Sequence, residues 1–218
     1  MTANIDDLLA RFSPQISDDA KAQLESFARL LTDWNIKVNL VSRRDIDRVW
    51  ERHIVDSLSC LEFLDLSGCR VLDLGTGGGL PGIPLKIVVP SMELVLVDHT
   101  RKKIRAVDAM LTKLGLMEAE AIWGDTLEIS RQEKHAKQYD VVVTRAVGGV
   151  EQILPIADKL LAPKGVVVMW RTLDHTDKLP ARFPMQREFA TGQTLSGEPT
   201  GLFCVGRIGS ERHLADQI

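Results

Sequence analysis

The chain is poor in cysteine and has no long apolar run, and both absences limit what it can be. Its three cysteines, Cys60, Cys69 and Cys204, form no C-x-x-C pair, so neither a disulfide framework nor a zinc site is expected. The sequence contains no run of about 18 apolar residues, the length of a transmembrane helix. The N-terminal segment MTANIDDLLARF carries early acidic residues where a secretory signal has an apolar run. We therefore expect a cytoplasmic protein that is not embedded in a membrane.

An excess of positive charge is absent as well. The 218 residues include 27 Lys and Arg against 30 Asp and Glu, a net charge of -3. This balance argues against a protein whose whole surface binds nucleic acid, but it leaves room for a local basic patch. The five histidines lie without the spacing of metal ligands, so no metal is expected. The remaining composition, 44% apolar and 26% charged, is typical of a soluble globular protein.

The pattern of apolar residues changes near residue 67. Between residues 17 and 34 they recur at the spacing of an amphipathic helix, and residues 45–64 indicate one or two further helices. No strand pattern precedes residue 69. We therefore predict an N-terminal helical extension, residues 1–66, packed on a core domain, residues 67–218.

Downstream of Cys69, predicted strands alternate with predicted helices. The strands cover 70–74, 93–97, 119–123, 140–144 and 165–170, and the helices cover 81–89, 100–113 (capped by Thr100) and 150–161. Two weaker strands, 185–190 and 202–208, would form an antiparallel hairpin. Repeated strand–helix units predict an α/β fold with a mostly parallel, twisted sheet and helices on both faces. Ligands of such sheets bind at the carboxyl ends of the strands.

A glycine-rich turn, GTGGG, follows the first strand and precedes a helix. Gly77, Gly79 and Gly82 satisfy the G-x-G-x-x-G spacing of a dinucleotide site. An earlier register, Asp73-x-Gly75-x-Gly77-x-Gly79, instead places an acid two residues before the first glycine. A carboxylate there would repel a pyrophosphate and would suit a ligand with a cationic amino group. The turn therefore favours S-adenosylmethionine, with S-adenosylhomocysteine as product, over a nicotinamide dinucleotide.

Two further strand ends carry candidate site residues. Asp98 ends the second strand, where a carboxylate can accept hydrogen bonds from ribose hydroxyls in either ligand class. Arg145 follows the fourth strand, and its guanidinium can contact guanine O6 or a phosphate. No cysteine lies between residues 70 and 203, which disfavours cytosine C5 methylation through a thiolate. Oxygens, carboxylates and ring nitrogens remain as acceptors, and a ring nitrogen such as guanine N7 needs no general base.

Several motifs together give the chain a family resemblance. They are NLVS at 39–42, ERHIVDSL at 51–58, LDLGTGGGLPGIPL at 72–85, VDHTRKKIRAV at 97–107 and VVTRAV at 142–147. With these motifs the chain resembles the bacterial 16S rRNA guanine-N7 methyltransferase family, once called glucose-inhibited division protein B. The resemblance implies a Rossmann-like methyltransferase fold and a methyl acceptor in the decoding region of the small ribosomal subunit. We expect a monomer that works on this RNA.

The resemblance also implies roles for individual residues. Gly75 and Leu80 would contact the methyl donor, and Thr126 and Leu127 would approach its adenine through their backbone. Arg145 would lie at both the donor and the acceptor. An N-terminal wall of the site would be formed by Asn39, His53, Asp56 and Ser57.

Two short stretches depart from the family pattern, and three other functions remain open. Where the family usually shows R-x-E, this chain has Asp125 to Glu128, and where it usually shows K-G, this chain has Trp170 and Arg171. Arg171 would conserve the charge of that lysine. The alternatives are a small-molecule methyltransferase on the same fold, a nicotinamide-dependent oxidoreductase, and a non-catalytic RNA-binding assembly factor.

Overall fold

A seven-stranded sheet organises the chain in a computed structural model that describes residues 5–12, 16–145, 148–172, 181, 183, 185–193 and 199–206. The strands are Arg70–Leu74 (β1), Glu93–Asp98 (β2), Ala119–Trp123 (β3), Tyr139–Arg145 (β4), Leu161–Thr172 (β5), Met185–Gln193 (β6) and Pro199–Gly206 (β7). Their order is β3-β2-β1-β4-β5-β7-β6. Strands β1 to β5 are parallel, and β7 pairs antiparallel with both β5 and β6. The predicted α/β fold with a C-terminal antiparallel hairpin is therefore confirmed.

Helices connect the parallel strands and precede them. They are Ile5–Leu9 (α1), Asp18–Lys37 (α2), Asp56–Leu58 (α3), Gly82–Val88 (α4), Arg101–Leu114 (α5), Thr126–Ile129 (α6) and Val150–Leu160 (α7). Helix α2 begins where Ser17 accepts a hydrogen bond from the Ala20 N–H at 3.2 Å, and α5 ends at Gly115 with φ of +66°. Thr100 is the N-cap residue of α5, as predicted. Its side chain makes no capping hydrogen bond, and its N–H donates to the Asp98 carboxylate at 2.7 Å.

The segment predicted as one or two helices at 45–64 is a run of short helical turns. A 3-10 turn at Ile46–Arg48 is followed by a π-helical turn at Trp50–Val55, then by α3 and a second 3-10 turn at Ser59–Glu62. β-branched and aromatic residues in this segment lower its helix propensity, so packing sets its local geometry. π-helical turns are often found at functional sites.

An apolar cluster covers each face of the sheet. Helix α2 packs against α4 and α5 on one face, where Leu24, Phe27 and Leu58 share a cluster with Leu94 and Leu96 of β2. Helix α7 covers the other face. The N-terminal segment therefore contributes to the same hydrophobic core as the sheet, while the boundary at residue 67 stays a prediction. Among the helices that the structure describes, none has the length and apolar character needed to cross a membrane.

Candidate active site

A cavity of about 520 Å³ opens at the carboxyl ends of the parallel strands. Its wall combines the turns that follow β1, β2 and β3 with the end of β4 and part of the N-terminal segment. The predicted site residues on this wall are Gly75, Gly77, Leu80, Asp98, Thr126, Arg145 and His53. Residues from distant parts of the sequence thus meet at the edge where ligands of α/β sheets bind.

The glycine turn uses most of its own hydrogen-bond donors. The N–H groups of Gly75 and Thr76 donate to the Val97 carbonyl at 2.8 and 2.9 Å, and those of Gly79 and Leu80 donate to the Thr76 carbonyl at 2.9 and 3.0 Å. Gly75 and Gly79 have φ of +72° and +85°, in the left-handed region that favours glycine. A pyrophosphate site needs free N–H groups that point at the ligand. This turn therefore presents mainly backbone surface without a side chain, rather than a cradle of donors.

Asp98 ties the second strand to the glycine turn. One of its carboxylate oxygens accepts from the Gly77 N–H at 3.0 Å, and the other accepts from the Thr100 N–H. The residue is 3% exposed and lines the cavity. A carboxylate has about four acceptor sites, so Asp98 retains capacity for hydroxyl groups of a ligand.

Asp73 lies behind the turn, in contrast to the expectation that it faces the amino group of a ligand. Its carboxylate is fully buried and accepts from the Thr76 hydroxyl at 2.7 Å and from the Gly82 N–H at 2.9 Å. Burial raises the pKa of Asp73 to about 7, although the hydrogen bonds from Thr76 and Gly82 oppose this. Asp73 therefore fixes the shape of the turn, because its side chain points into the core at the start of α4.

Arg145 connects the sheet to the N-terminal segment. Its Nη1 donates to the Asp56 carboxylate at 3.2 Å, and its Nη2 contacts Nδ1 of His53. The Arg145 side chain is 17% exposed, so the guanidinium is largely screened from water. We call the three side chains Arg145, His53 and Asp56 the arginine cluster.

His53 is a neutral imidazole in this arrangement. Burial, together with the charges of Arg145 and Arg52, lowers its pKa to about 3. Since Nδ1 faces a guanidinium N–H, it must accept that bond, and the hydrogen-bond network then assigns the imidazole proton to Nε2. Nε2 is buried and has no hydrogen-bond partner among the residues that the structure describes. An unpaired buried donor costs about 1–3 kcal/mol.

Trp170 supports the arginine cluster from β5. Its Nε1–H donates to the Asp56 carbonyl at 2.8 Å, and the side chain is buried. Arg171, by contrast, lies over the ring of Phe203 with 5.1 Å between the guanidinium carbon and the ring centroid. Arg171 is not part of the cavity wall. The structure therefore does not place it in the cleft, where we expected it to replace the lysine of the family pattern.

Other predicted residues lie away from the cavity wall. Asn39 is exposed. Gly79 packs closely against Ile83, because a Cβ added to this glycine would lie 2.4 Å from Cδ1 of Ile83. The Leu127 N–H donates to the Asp125 carboxylate at 2.8 Å, which caps α6. The N–H of Leu127 is therefore engaged within the protein, and the expected approach of its backbone to an adenine stays a prediction.

Sequence reasoning missed several residues of the wall. Thr76, His99 and Lys103 line the cavity. The sequence alone does not predict these three as site residues. The wall residues Leu40 and Val41 are held by Asn35, whose side-chain oxygen accepts from their N–H groups at 2.8 and 3.0 Å. An asparagine near the end of a predicted helix gives no signal of this contact before the fold is known.

Comparison with known proteins identifies relatives and a shared fold. A protein of Bacteroides fragilis, "Ribosomal RNA small subunit methyltransferase G", is 35% identical over 158 residues, covering 72% of this chain and 74% of the relative. A protein of the same name from Christiangramia forsetii is 40% identical over 142 residues, covering 65% and 64%. The solved structure of a predicted O-methyltransferase from Agrobacterium tumefaciens has a TM-score of 0.57 at 13% identity, covering 72% of this chain and 81% of that one. This structural likeness supports the predicted Rossmann-like methyltransferase fold.

The match to a protein family is broader than any of these pairwise comparisons. Residues 20–190 match the family described as "rRNA small subunit methyltransferase G". The match begins within α2 and ends within β6, so it includes both the arginine cluster and the glycine turn. The chain therefore belongs to the small-subunit rRNA methyltransferase G family.

Proposed function

We propose that this chain transfers the methyl group of S-adenosylmethionine to N7 of a guanosine in the decoding region of 16S rRNA. Family membership supports the small-subunit RNA as the substrate. The observation that carries the choice of acceptor is the arginine cluster, which offers N–H donors at the cavity wall.

The wall near the glycine turn suits an adenosine donor that carries no phosphate. Few N–H groups of the turn are free for a pyrophosphate, which disfavours the nicotinamide alternative. Gly75, Gly77 and Leu80 would contact the donor, and Asp98 would accept hydrogen bonds from its ribose hydroxyls. Thr126 would lie beside the adenine. The donor supplies an activated methyl group on a sulfonium.

The acceptor side suits a ring nitrogen that loses no proton. His53 cannot act as a base near neutral pH, because its Nδ1 accepts from Arg145 and its pKa lies near 3. Guanine N7 presents an in-plane lone pair, so its attack forms the N7–C bond while the C–S bond breaks, and the electron pair stays on sulfur. No proton transfer accompanies this step. Catalysis then consists of alignment and exclusion of water.

The arginine cluster would align the guanine. O6 lies beside N7 on the guanine edge and accepts hydrogen bonds. Arg145 would donate to O6, and Asp56 would hold the guanidinium in place. Asn39, exposed near the Leu40 and Val41 wall, would contact the neighbouring RNA.

The modified nucleoside decides this proposal. Purified small subunits that lack the modification would be incubated with the protein and S-adenosylmethionine, and the digested 16S rRNA would be analysed by mass spectrometry. We expect 7-methylguanosine at one position, and its loss in an Arg145→Ala variant whose circular dichroism matches the wild type. Calorimetry should show binding of S-adenosylhomocysteine and none of NAD.

Each competing function predicts a different result in these measurements. Turnover on a metabolite with no methylation of RNA would favour the small-molecule alternative. Association with the subunit without methyl transfer would favour the assembly-factor alternative. Preferential binding of NAD would overturn the assignment of the donor.

A further inference from the structure

Trp123 is an exposed indole at the edge of the cavity. It ends β3, the edge strand of the sheet, and pairs in register with Asp98, which lines the cavity. Trp123 is 57% exposed and does not itself line the cavity. A large apolar side chain is therefore presented to solvent directly beside the site.

Two contacts hold the indole in one orientation. Its Nε1–H donates to the His99 carbonyl at 2.9 Å, and the guanidinium carbon of Arg101 lies 5.3 Å from the ring centroid. The first contact removes the rotational freedom that an exposed side chain would otherwise keep. The second is a cation–π contact. The ring is thus ordered before any ligand arrives, which lowers the entropic cost of stacking on it.

The start of α5 carries exposed positive charge, and Arg101 brings part of it against this ring. Arg101, Lys102 and Arg105 are exposed, and among the described residues no carboxylate lies within 4.0 Å of their charged groups. The nearby Asp98 and Asp125 carboxylates are engaged by backbone N–H groups. Exposed cations on the same side as an exposed aromatic ring suit the phosphates and bases of a single-stranded nucleic acid.

We propose that Trp123, Arg101, Lys102 and Arg105, which we call the α5 platform, bind single-stranded RNA adjacent to the methylated guanosine. One base stacks on Trp123, and the flanking phosphates contact the cations of α5. The identity of the RNA rests on the proposed function. The indole and these cations lie outside the cavity wall, which favours the RNA over the adenine of the methyl donor as the ligand of the platform.

Paired binding measurements on three variants test the platform. Trp123→Ala removes the ring, Trp123→Phe keeps an aromatic face, and Met117→Ala is the control, since Met117 is 78% exposed and precedes the same strand. Fluorescence anisotropy measures the affinity for a labelled single-stranded fragment of 16S rRNA. Calorimetry measures the affinity for S-adenosylhomocysteine.

We expect Trp123→Ala to weaken RNA binding about 5- to 150-fold, since a stacked base contributes about 1–3 kcal/mol. Trp123→Phe should restore most of this affinity, and S-adenosylhomocysteine binding should stay within about twofold in all variants. Arg101→Gln should reduce the slope of log affinity against log salt by about 0.7, the value for one phosphate contact on a single strand.

Three results would overturn the platform. They are equal RNA affinity in Trp123→Ala and Met117→Ala, a selective loss of S-adenosylhomocysteine binding in Trp123→Ala, and no RNA binding by the wild type. Methylation of the subunit by the wild type is scored separately and tests the proposed function. RNA binding that depends on Trp123 without methyl transfer would support the platform and refute the proposed activity.

Discussion

Replacing Asp73 with asparagine should change how the stability of the protein depends on pH. The Asp73 carboxylate is fully buried, and one of its oxygens, Oδ1, has no hydrogen-bond partner among the described residues. Burial raises its pKa to about 7 from an ordinary value of 3.8. The native state therefore holds this proton up to about pH 7, while the unfolded chain releases it near pH 4. The amide introduced by Asp73→Asn would keep an oxygen for Thr76 and Gly82 but would not ionise.

The size of the effect follows from the two pKa values. Between them the native state binds more protons than the unfolded state, so the contribution of Asp73 to the free energy of unfolding falls as pH rises. Between pH 5 and pH 8 this contribution falls by about 3 kcal/mol, calculated from a folded pKa of about 7. That is a large fraction of the about 5–15 kcal/mol stability of an ordinary domain.

Urea unfolding at pH 5, 6, 7 and 8 measures this difference by linear extrapolation. The stability of Asp73→Asn relative to the wild type should increase with pH over this range. Asp108→Asn, the same replacement at an exposed position of α5, is the control and should run parallel to the wild type. A difference between Asp73→Asn and the wild type that is constant with pH would refute the raised pKa and the burial argument behind it.

Three other variants examine the site and its packing. Arg145→Lys keeps the positive charge but loses the paired N–H donors of the planar guanidinium. We expect kcat/KM for RNA methylation to fall about 30- to 150-fold, which corresponds to about 2–3 kcal/mol for a charged hydrogen bond. Unchanged kinetics would contradict this. Trp170→Phe removes the N–H that holds the Asp56 carbonyl, so kcat should fall about 3- to 10-fold with a smaller change in KM; a change in KM alone would argue against positioning. Gly78→Ala places a Cβ 2.8 Å from a leucine methyl group of α2 and should lower the free energy of unfolding by about 1–3 kcal/mol. Gly149→Ala, whose Cβ meets nothing within 4 Å, should change it by less than about 1 kcal/mol, and equal effects of the two would reject the clash.

The sheet could be predicted from the sequence because its strands are short apolar runs between turn residues. The bounds predicted for β1 and β3 match the structure. The strand predicted at 165–170 is longer in the structure, because β5 already begins at Leu161, before the turn residues. The hairpin strands predicted at 185–190 and 202–208 lie close to their observed bounds of 185–193 and 199–206. The local pattern of apolar residues is sufficient for the buried strand β1 and also for β3, whose residues are only partly buried or exposed.

The side-chain roles are harder to predict because they depend on direction and on distant partners. The sequence places Asp73 at a strand end, but the alternation of the strand turns its carboxylate into the core. No local sequence pattern predicts the π-helical turn that carries His53. The role of His53 depends on its contact with Arg145, which is distant in the sequence. In the sequence Trp170 is only a departure from the family pattern, and its bond to the Asp56 carbonyl requires the fold.

The arginine cluster joins parts of the chain that are synthesised far apart. Arg145 and Trp170 lie 89 and 114 residues after Asp56, the residue that both of them contact. The N-terminal segment emerges first, yet its partners follow only after most of the sheet has been made. Closing such long loops is slow compared with forming local structure. We therefore expect the proposed acceptor side of the site to form only after most of the sheet is in place.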